Sequence, residues 1–116
     1  MNHSTRKPNK AEQRRLDALS RLPCCCCVFE GVEQPNRTEI HHLVDKGSRK
    51  LSGGHMATIP LCGWHHRSAL PVHPQRKLAT AAAMYGPSLA LEKRKFVERY
   101  GTERSLLARV NRLLES

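Results

Sequence analysis

Aromatic residues are scarce in this chain. It has one Trp, two Tyr and two Phe among 116 residues, or 4%, and hydrophobic residues of all kinds reach only 39%. A chain of this length reads as one domain. With so few large apolar side chains, core burial alone leaves a thin stability margin, so a staple is expected: a metal, disulfides or a partner. Acidic residues are also few. Ten Asp and Glu stand against twenty Lys and Arg, a formal net charge of +10. The basic residues spread over the whole length, and an anionic partner follows, nucleic acid being the commonest. No apolar run is long enough to span a membrane. The opening residues Met1 to Lys10 lack the apolar core of a signal peptide, so a cytoplasmic location is expected. Cysteines stay reduced there. An even cysteine count is missing as well: there are five, four of them contiguous at Cys24 to Cys27. That suits thiolate metal ligation rather than a disulfide framework.

Residues 1–8 read as a basic, disordered lead. Asn9 lies three residues before Glu12, the spacing of a helix capping box. Leu16, Leu19 and Leu22 continue a helical face, so a helix over about 10–21 is predicted, closed by Pro23 and exposing Arg14, Arg15 and Arg21. Cys24 to Cys27 form a knuckle, and 30–36 reads as a loop around Gly31 and Pro35. Thr38 to His41 is a strand candidate, Asp45 to Gly54 a basic loop, and Ala57 to Ile59 a second strand ended by Pro60. A helix can start at Cys62 and run to about Ala69, before Pro71 and Pro74 interrupt the chain. Beyond them, 79–85 is alanine-rich and stops at Gly86. Ser88 can cap a helix to Tyr100. Thr102 can cap another with an apolar stripe of Leu106, Leu107, Val110, Leu113 and Leu114. No internal repeat is visible.

Cys24 and Cys27 have C-x-x-C spacing, and Cys62 and His65 have C-x-x-H spacing. Two such knuckles meeting in space supply the four tetrahedral ligands of a structural zinc site, closed to any reacting water. Cys25 or Cys26 could take one of the first pair's places. Six of seven histidines lie between 41 and 73: His41, His42, His55, His65, His66 and His73. That density points to metal ligation or proton transfer. Adjacent strand residues point to opposite sides, but a bend at the strand end can bring His41 and His42 toward one cleft with different jobs, one binding metal and the other acting as a base with an unperturbed pKa of ~6.5.

The run Ile40-His41-His42-Leu43, followed by Ile59-Pro60-Leu61-Cys62-Gly63-Trp64-His65-His66-Arg67, resembles the HNH endonuclease motif of the ββα-metal class. Leu22-Pro23-Cys24, His73 and Tyr100-Gly101 bring it nearer to the phage recombination-enhancement nucleases, the RecA-dependent group. The resemblance implies an α+β fold: a small ββα-metal (HNH) core with a structural zinc site and flanking helices. One nuclease domain over 9–116 would have its core at about 22–74 and a helical part at 75–116. By position, His41, His66 and His73 become ligands of the catalytic metal and His42 the general base. Cys24, Cys27, Cys62 and His65 match the structural zinc ligands.

The implied reaction is hydrolysis of a DNA phosphodiester, leaving 5′-phosphate and 3′-hydroxyl ends. The ion on the histidines would be Mg2+ by analogy, although imidazoles prefer zinc or another transition ion. Lys46, Arg49, Lys50 and Arg67 are candidate phosphate contacts. The implied partners are DNA and a RecA-type recombinase filament in a bacterial host cell, for a phage- or prophage-encoded protein. One departure stands out. Ala57 occupies the usual place of the motif's Asn, which orients the base, so His55, Thr58 or a backbone carbonyl would have to replace it. The competing reading is a non-catalytic zinc module that binds DNA. Other readings are a zinc-built interaction protein using the C-terminal leucine stripe, and an RNA-cleaving enzyme.

Overall fold

In a computed structural model, the described residues are 6–70 and 77–115. His73 and the interruption around Pro71 and Pro74 therefore lie outside them. Helix α1 (Lys10–Ser20) starts as its sequence dictates: the Asn9 side chain accepts from Glu12 N, and the Glu12 carboxylate accepts from Asn9 N, at 2.8 and 2.9 Å. The Arg6 guanidinium forks Glu12 at 2.6 and 2.9 Å. Arg15 departs from its expected place on the exposed side. It lies four residues before Leu19, on the packed face. From there it reaches Thr58 Oγ1, Thr58 O and Asn111 Oδ1 at 2.9, 2.7 and 2.8 Å.

Short helix α2 (Cys25–Glu30) carries the first knuckle and ends on Gly31 in the left-handed region. Strand β1 (Thr38–His42) follows. The expected basic loop contains one helical turn, α3 (Arg49–Ser52), capped by Ser48, and a 3-10 turn over Gly54–Met56. Strand β2 (Thr58–Cys62) pairs antiparallel with β1, matching Thr38 to Cys62 and His42 to Thr58.

Pro60 lies within β2 rather than ending it, and the ladder's phase explains why. Gly63 N donates to Arg37 O and Leu43 N to Ala57 O, so bonded pairs fall at 37/63, 39/61, 41/59 and 43/57. Ile40–Pro60 is a non-bonded pair, where a missing N–H costs nothing.

Helix α4 (Gly63–Arg67) leaves β2 directly, with Cys62 as its N-cap. Helices α5 (Leu78–Tyr85), α6 (Lys93–Tyr100) and α7 (Glu103–Glu115) complete the fold. Ser88 caps an isolated turn instead of α6: Leu91 N and Glu92 N bond back to it, and Glu92 is then non-helical. Thr102 Oγ1 does cap α7, accepting from Ser105 N at 3.1 Å.

This is the small α+β arrangement expected: a two-stranded sheet, the helix that follows it, and helices packed around both. Leu19, Leu43, Ile59, Leu61, Trp64 and Phe96 form a core at most 1% exposed. Leu106, Leu107 and Val110 close it from α7, so most of the leucine stripe is core, while Leu113 remains 62% exposed. Among the described residues, no helix is long and apolar enough to cross a membrane.

Candidate metal and histidine sites

Both knuckles use one local design. The first ligand is the N-cap of a short helix (Cys24 of α2, Cys62 of α4), and the second lies three residues on, within the first turn. Positions three apart share a helix face, which is why the spacing works. The four side chains are at most 2% exposed, and their ligand atoms lie within 4.8 Å of one another. His65 Nδ1 stands 3.5, 3.5 and 3.3 Å from the sulfurs of Cys24, Cys27 and Cys62, and Cys27 lies 3.8 Å from Cys62. A tetrahedral zinc with bonds of ~2.3 Å to sulfur and ~2.0 Å to nitrogen needs edges of about 3.8 and about 3.5 Å. The cluster could therefore hold a structural zinc, with Cys24 and Cys27 in the first pair. Cys25 and Cys26 are outside the cluster.

The thiols alone support one negative charge, on Cys24, and resist any more. Hydrogen bonds from Cys26, Cys27 and Cys62 hold the Cys24 thiol far down. Donation to Cys24 pushes Cys27 up and Cys62 up to about 12. Burial raises Cys26. A cation removes this conflict by ionising its thiol ligands outright.

The outer side of His65 is equally specified. Its Nε2 meets the Tyr85 carbonyl at 2.8 Å and the Tyr100 hydroxyl at 3.1 Å. A carbonyl only accepts, so Nε2 carries the proton and Nδ1 is bare for metal. Tyr100 in turn donates to Glu30 at 2.6 Å, and Arg99 forks the same carboxylate. Gly86 makes room for this: a Cβ there would lie 2.1 Å from the Tyr100 hydroxyl.

The histidine pair of β1, at the strand end, takes two different sets of partners, while His42 stays near enough to His41 and His66 for both to lower its pKa. His41 shares its face with Glu39. His41 Nε2 lies 2.5 Å from Glu103 Oε1 of α7, and its ring meets His66 edge-on at 5.0 Å between centroids. His66 Nδ1 meets Glu39 Oε1 at 2.9 Å, and Arg67 forks Glu39 at 3.0 and 2.8 Å. The Arg67 guanidinium holds the Glu39 carboxyl below its usual range. Arg67, a candidate phosphate contact, also holds Glu39 within the protein. The carboxylates occupy His41 Nε2 and His66 Nδ1, so His41 Nδ1 and His66 Nε2 are the nitrogens left to meet a metal. Among the described residues, no third ligand atom closes on this pair within 4.8 Å.

His42 Nε2 lies 3.0 Å from His55 Nδ1, and His55 Nε2 lies 2.6 Å from the Arg6 carbonyl. The tautomers follow in sequence. Arg6 O only accepts, so His55 Nε2 donates and its Nδ1 is bare. His42 Nε2 must then donate, leaving His42 Nδ1 bare. Thr58 Oγ1 donates to the His55 carbonyl at 2.9 Å. Burial, and next the Arg49 guanidinium, lower His42 to about 4.

Lys46, Arg49 and Lys50 are exposed on the segment after β1. That segment is pinned where Arg104 forks Asp45 at 3.0 and 2.6 Å. Sequence reasoning missed Glu39, Glu103, Arg6 and Tyr100 as site partners. Glu39, two residues before His41, was open to a period-of-two argument. Glu103, 62 residues from His41, had no local signal.

The family model for recombination enhancement, RecA-dependent nucleases matches residues 8–115, nearly the whole chain and every cysteine and histidine of both clusters described above. The protein belongs to the recombination enhancement, RecA-dependent nuclease family.

Proposed function

We propose that this protein is an HNH-type DNA endonuclease in which His42 is the general base and Cys24, Cys27, Cys62 and His65 hold a structural zinc. The observation that carries the reading is the state of His42. Its Nε2 is committed to His55, its Nδ1 is bare, and its lowered pKa keeps the ring neutral at physiological pH. A neutral imidazole with one fixed donor and one free acceptor is what abstraction of a proton from water requires. The orienting work that an Asn does in the motif falls here to His55, steadied by Thr58.

His41 and His66, with His73, would hold the catalytic divalent ion, Mg2+ or a transition metal. Such an ion polarises a phosphodiester and stabilises the charge that develops on the leaving oxygen. Glu39 and Glu103 orient the two histidine rings by accepting their outer protons. Arg49 stands near enough to His42 to lower its pKa, so a phosphate at Arg49 lies beside the base. Lys46 and Lys50 would extend that contact along the backbone without reading sequence. The family name supports a recombinase filament as the context in which DNA is presented. The protein would then act in the cytoplasm of a bacterial host, from a phage or prophage gene.

The test is cleavage of single-stranded and supercoiled DNA by zinc-loaded protein, with and without Mg2+ and a RecA-type filament. His42→Ala should lose about 10²–10⁴-fold in rate. DNA binding and zinc content should stay intact. Full activity in that variant refutes the base assignment. Absence of cleavage under every condition, with DNA binding intact, favours the non-catalytic zinc module.

A further inference from the structure

The segment before α1 does more than lead into a helix. The Arg6 carbonyl is the acceptor for His55 Nε2, at 2.6 Å, and so stands at the head of the chain Arg6 O–His55–His42. His55 is 8% exposed, so water is a poor substitute for that acceptor. A backbone carbonyl outside any helix or strand stays in place only if its segment is tied down. The tie is visible: the Arg6 guanidinium forks both oxygens of Glu12 at 2.6 and 2.9 Å. Glu12 is itself fixed by the backbone N–H of Asn9 at 2.9 Å. The Glu12 side chain is only 9% exposed, while that of Arg6 is 65% exposed. Arg6 also draws the Glu12 carboxyl down to about 2, so the fork persists across working pH. Helix α1 packs against the 3-10 turn that carries His55, so latch and relay share one wall.

We propose that Arg6 and Glu12 are positioning residues for the base: their fork fixes the Arg6 carbonyl on His55, and through His55 selects the His42 tautomer with Nδ1 bare. The proposal rests on the reading of His42 as the general base. Released from Arg6 O, His55 can carry its proton on Nδ1. His42 Nε2 must then lose its own proton to remain bonded, which leaves Nδ1 protonated and useless as an acceptor.

Glu12→Gln separates this role from helix capping. The amide oxygen still accepts from Asn9 N–H, because glutamine serves in a capping box, but the carboxylate fork is lost. Arg6→Ala breaks the same fork from its exposed end and serves if Glu12→Gln folds poorly. The full-length, zinc-loaded protein is read by 15N NMR of the imidazole nitrogens and by cleavage kinetics.

Both variants should change His42 from one dominant Nε2–H tautomer to a mixture. They should lower kcat about 10-fold or more, the usual loss for an orienting partner, with KM within about twofold. His55→Gln can donate to Arg6 O and accept from His42, so it should retain at least about tenfold more kcat than His55→Leu, which does neither. An unchanged His42 tautomer in both latch variants overturns the proposal, whatever happens to the rate. Full cleavage by His42→Ala would instead refute the base reading, while the tautomer measurement still judges the latch.

Discussion

Tyr100→Phe removes a single oxygen at the outer edge of the Cys–His cluster. The ring would remain, with its edge-on contacts to Phe29, His65 and Phe96 at 5.4, 5.4 and 5.0 Å between centroids. The lost hydroxyl stands 3.1 Å from His65 Nε2 and 2.6 Å from Glu30. Burial, and then the Glu30 carboxylate, push its pKa well above the ordinary range, so it is a donor at every working pH. His65 would keep the Tyr85 carbonyl at 2.8 Å, so Nε2 is not orphaned. Losing an orienting partner of a metal-bound histidine typically costs 10–100-fold in affinity. With Tyr85 in place the low end applies, about tenfold, or ~1.4 kcal/mol. Zinc held by the cluster would favour the folded chain, so at fixed zinc excess the same ~1.4 kcal/mol would leave the folding free energy. For a chain of this size that lowers Tm by roughly 5–8 °C. Competition with a chromophoric chelator measures the affinity, and calorimetry with and without excess chelator measures the stability. Zinc affinity within twofold of wild type would refute the reasoning. So would a Tm loss of equal size in the chelated protein, because the hydroxyl would then act on packing and not through the metal.

Arg15→Ala should destabilise the fold by about 2–3 kcal/mol in urea unfolding, since it removes charge-assisted bonds to Thr58 and Asn111. Arg15→Lys should recover less than half, because an ammonium cannot form the fork. His42 should titrate at about 4 by NMR. An unfolded imidazole protonates near ~6.5, so between that pH and about 4 the unfolded state binds a proton the folded state refuses, and stability falls as pH drops through this window. Arg49→Gln should move the midpoint upward, and a wild-type midpoint near ~6.5 would contradict the burial argument.

What the sequence made legible was local. Asn9 and Glu12 announce α1 because a capping box spans three residues, and the two ligand pairs are readable because i and i+3 share a helix face. Pro60 was misplaced because nothing local sets the phase of a ladder; its tolerance depends on which pairs across the sheet are bonded. Ser88 offers a cap, but Leu89 N is held by the His65 carbonyl at 2.9 Å, and the chain restarts its helix only at Lys93. Arg15 reads as a surface charge, while its length lets the guanidinium cross to β2 and α7. Glu103 and Arg6 join the histidines only through tertiary packing, so no spacing could have announced them.

Ala57 bears on whether the motif's departure impairs the site. Its side chain is buried, 3% exposed, and a Cβ on Gly53 would meet its own Cβ at 2.9 Å. Its backbone is committed on both sides, with N donating to Gly54 O and O accepting from Leu43 N. An asparagine here must push a carboxamide against the Gly53 backbone or open the turn that holds His55. It would also compete for a His42 nitrogen that already has a partner at 3.0 Å. Overpacking of this kind costs about 1–3 kcal/mol. Ala57→Asn should therefore lose stability in urea without gaining kcat, although it restores the residue the motif normally carries. A variant as stable as wild type with a higher kcat would mean that His55 is not the substitute and that the site lacks its orienting group. A destabilised and slower variant would mean that Gly53, His55 and Ala57 form one packed solution to the problem that an asparagine solves elsewhere.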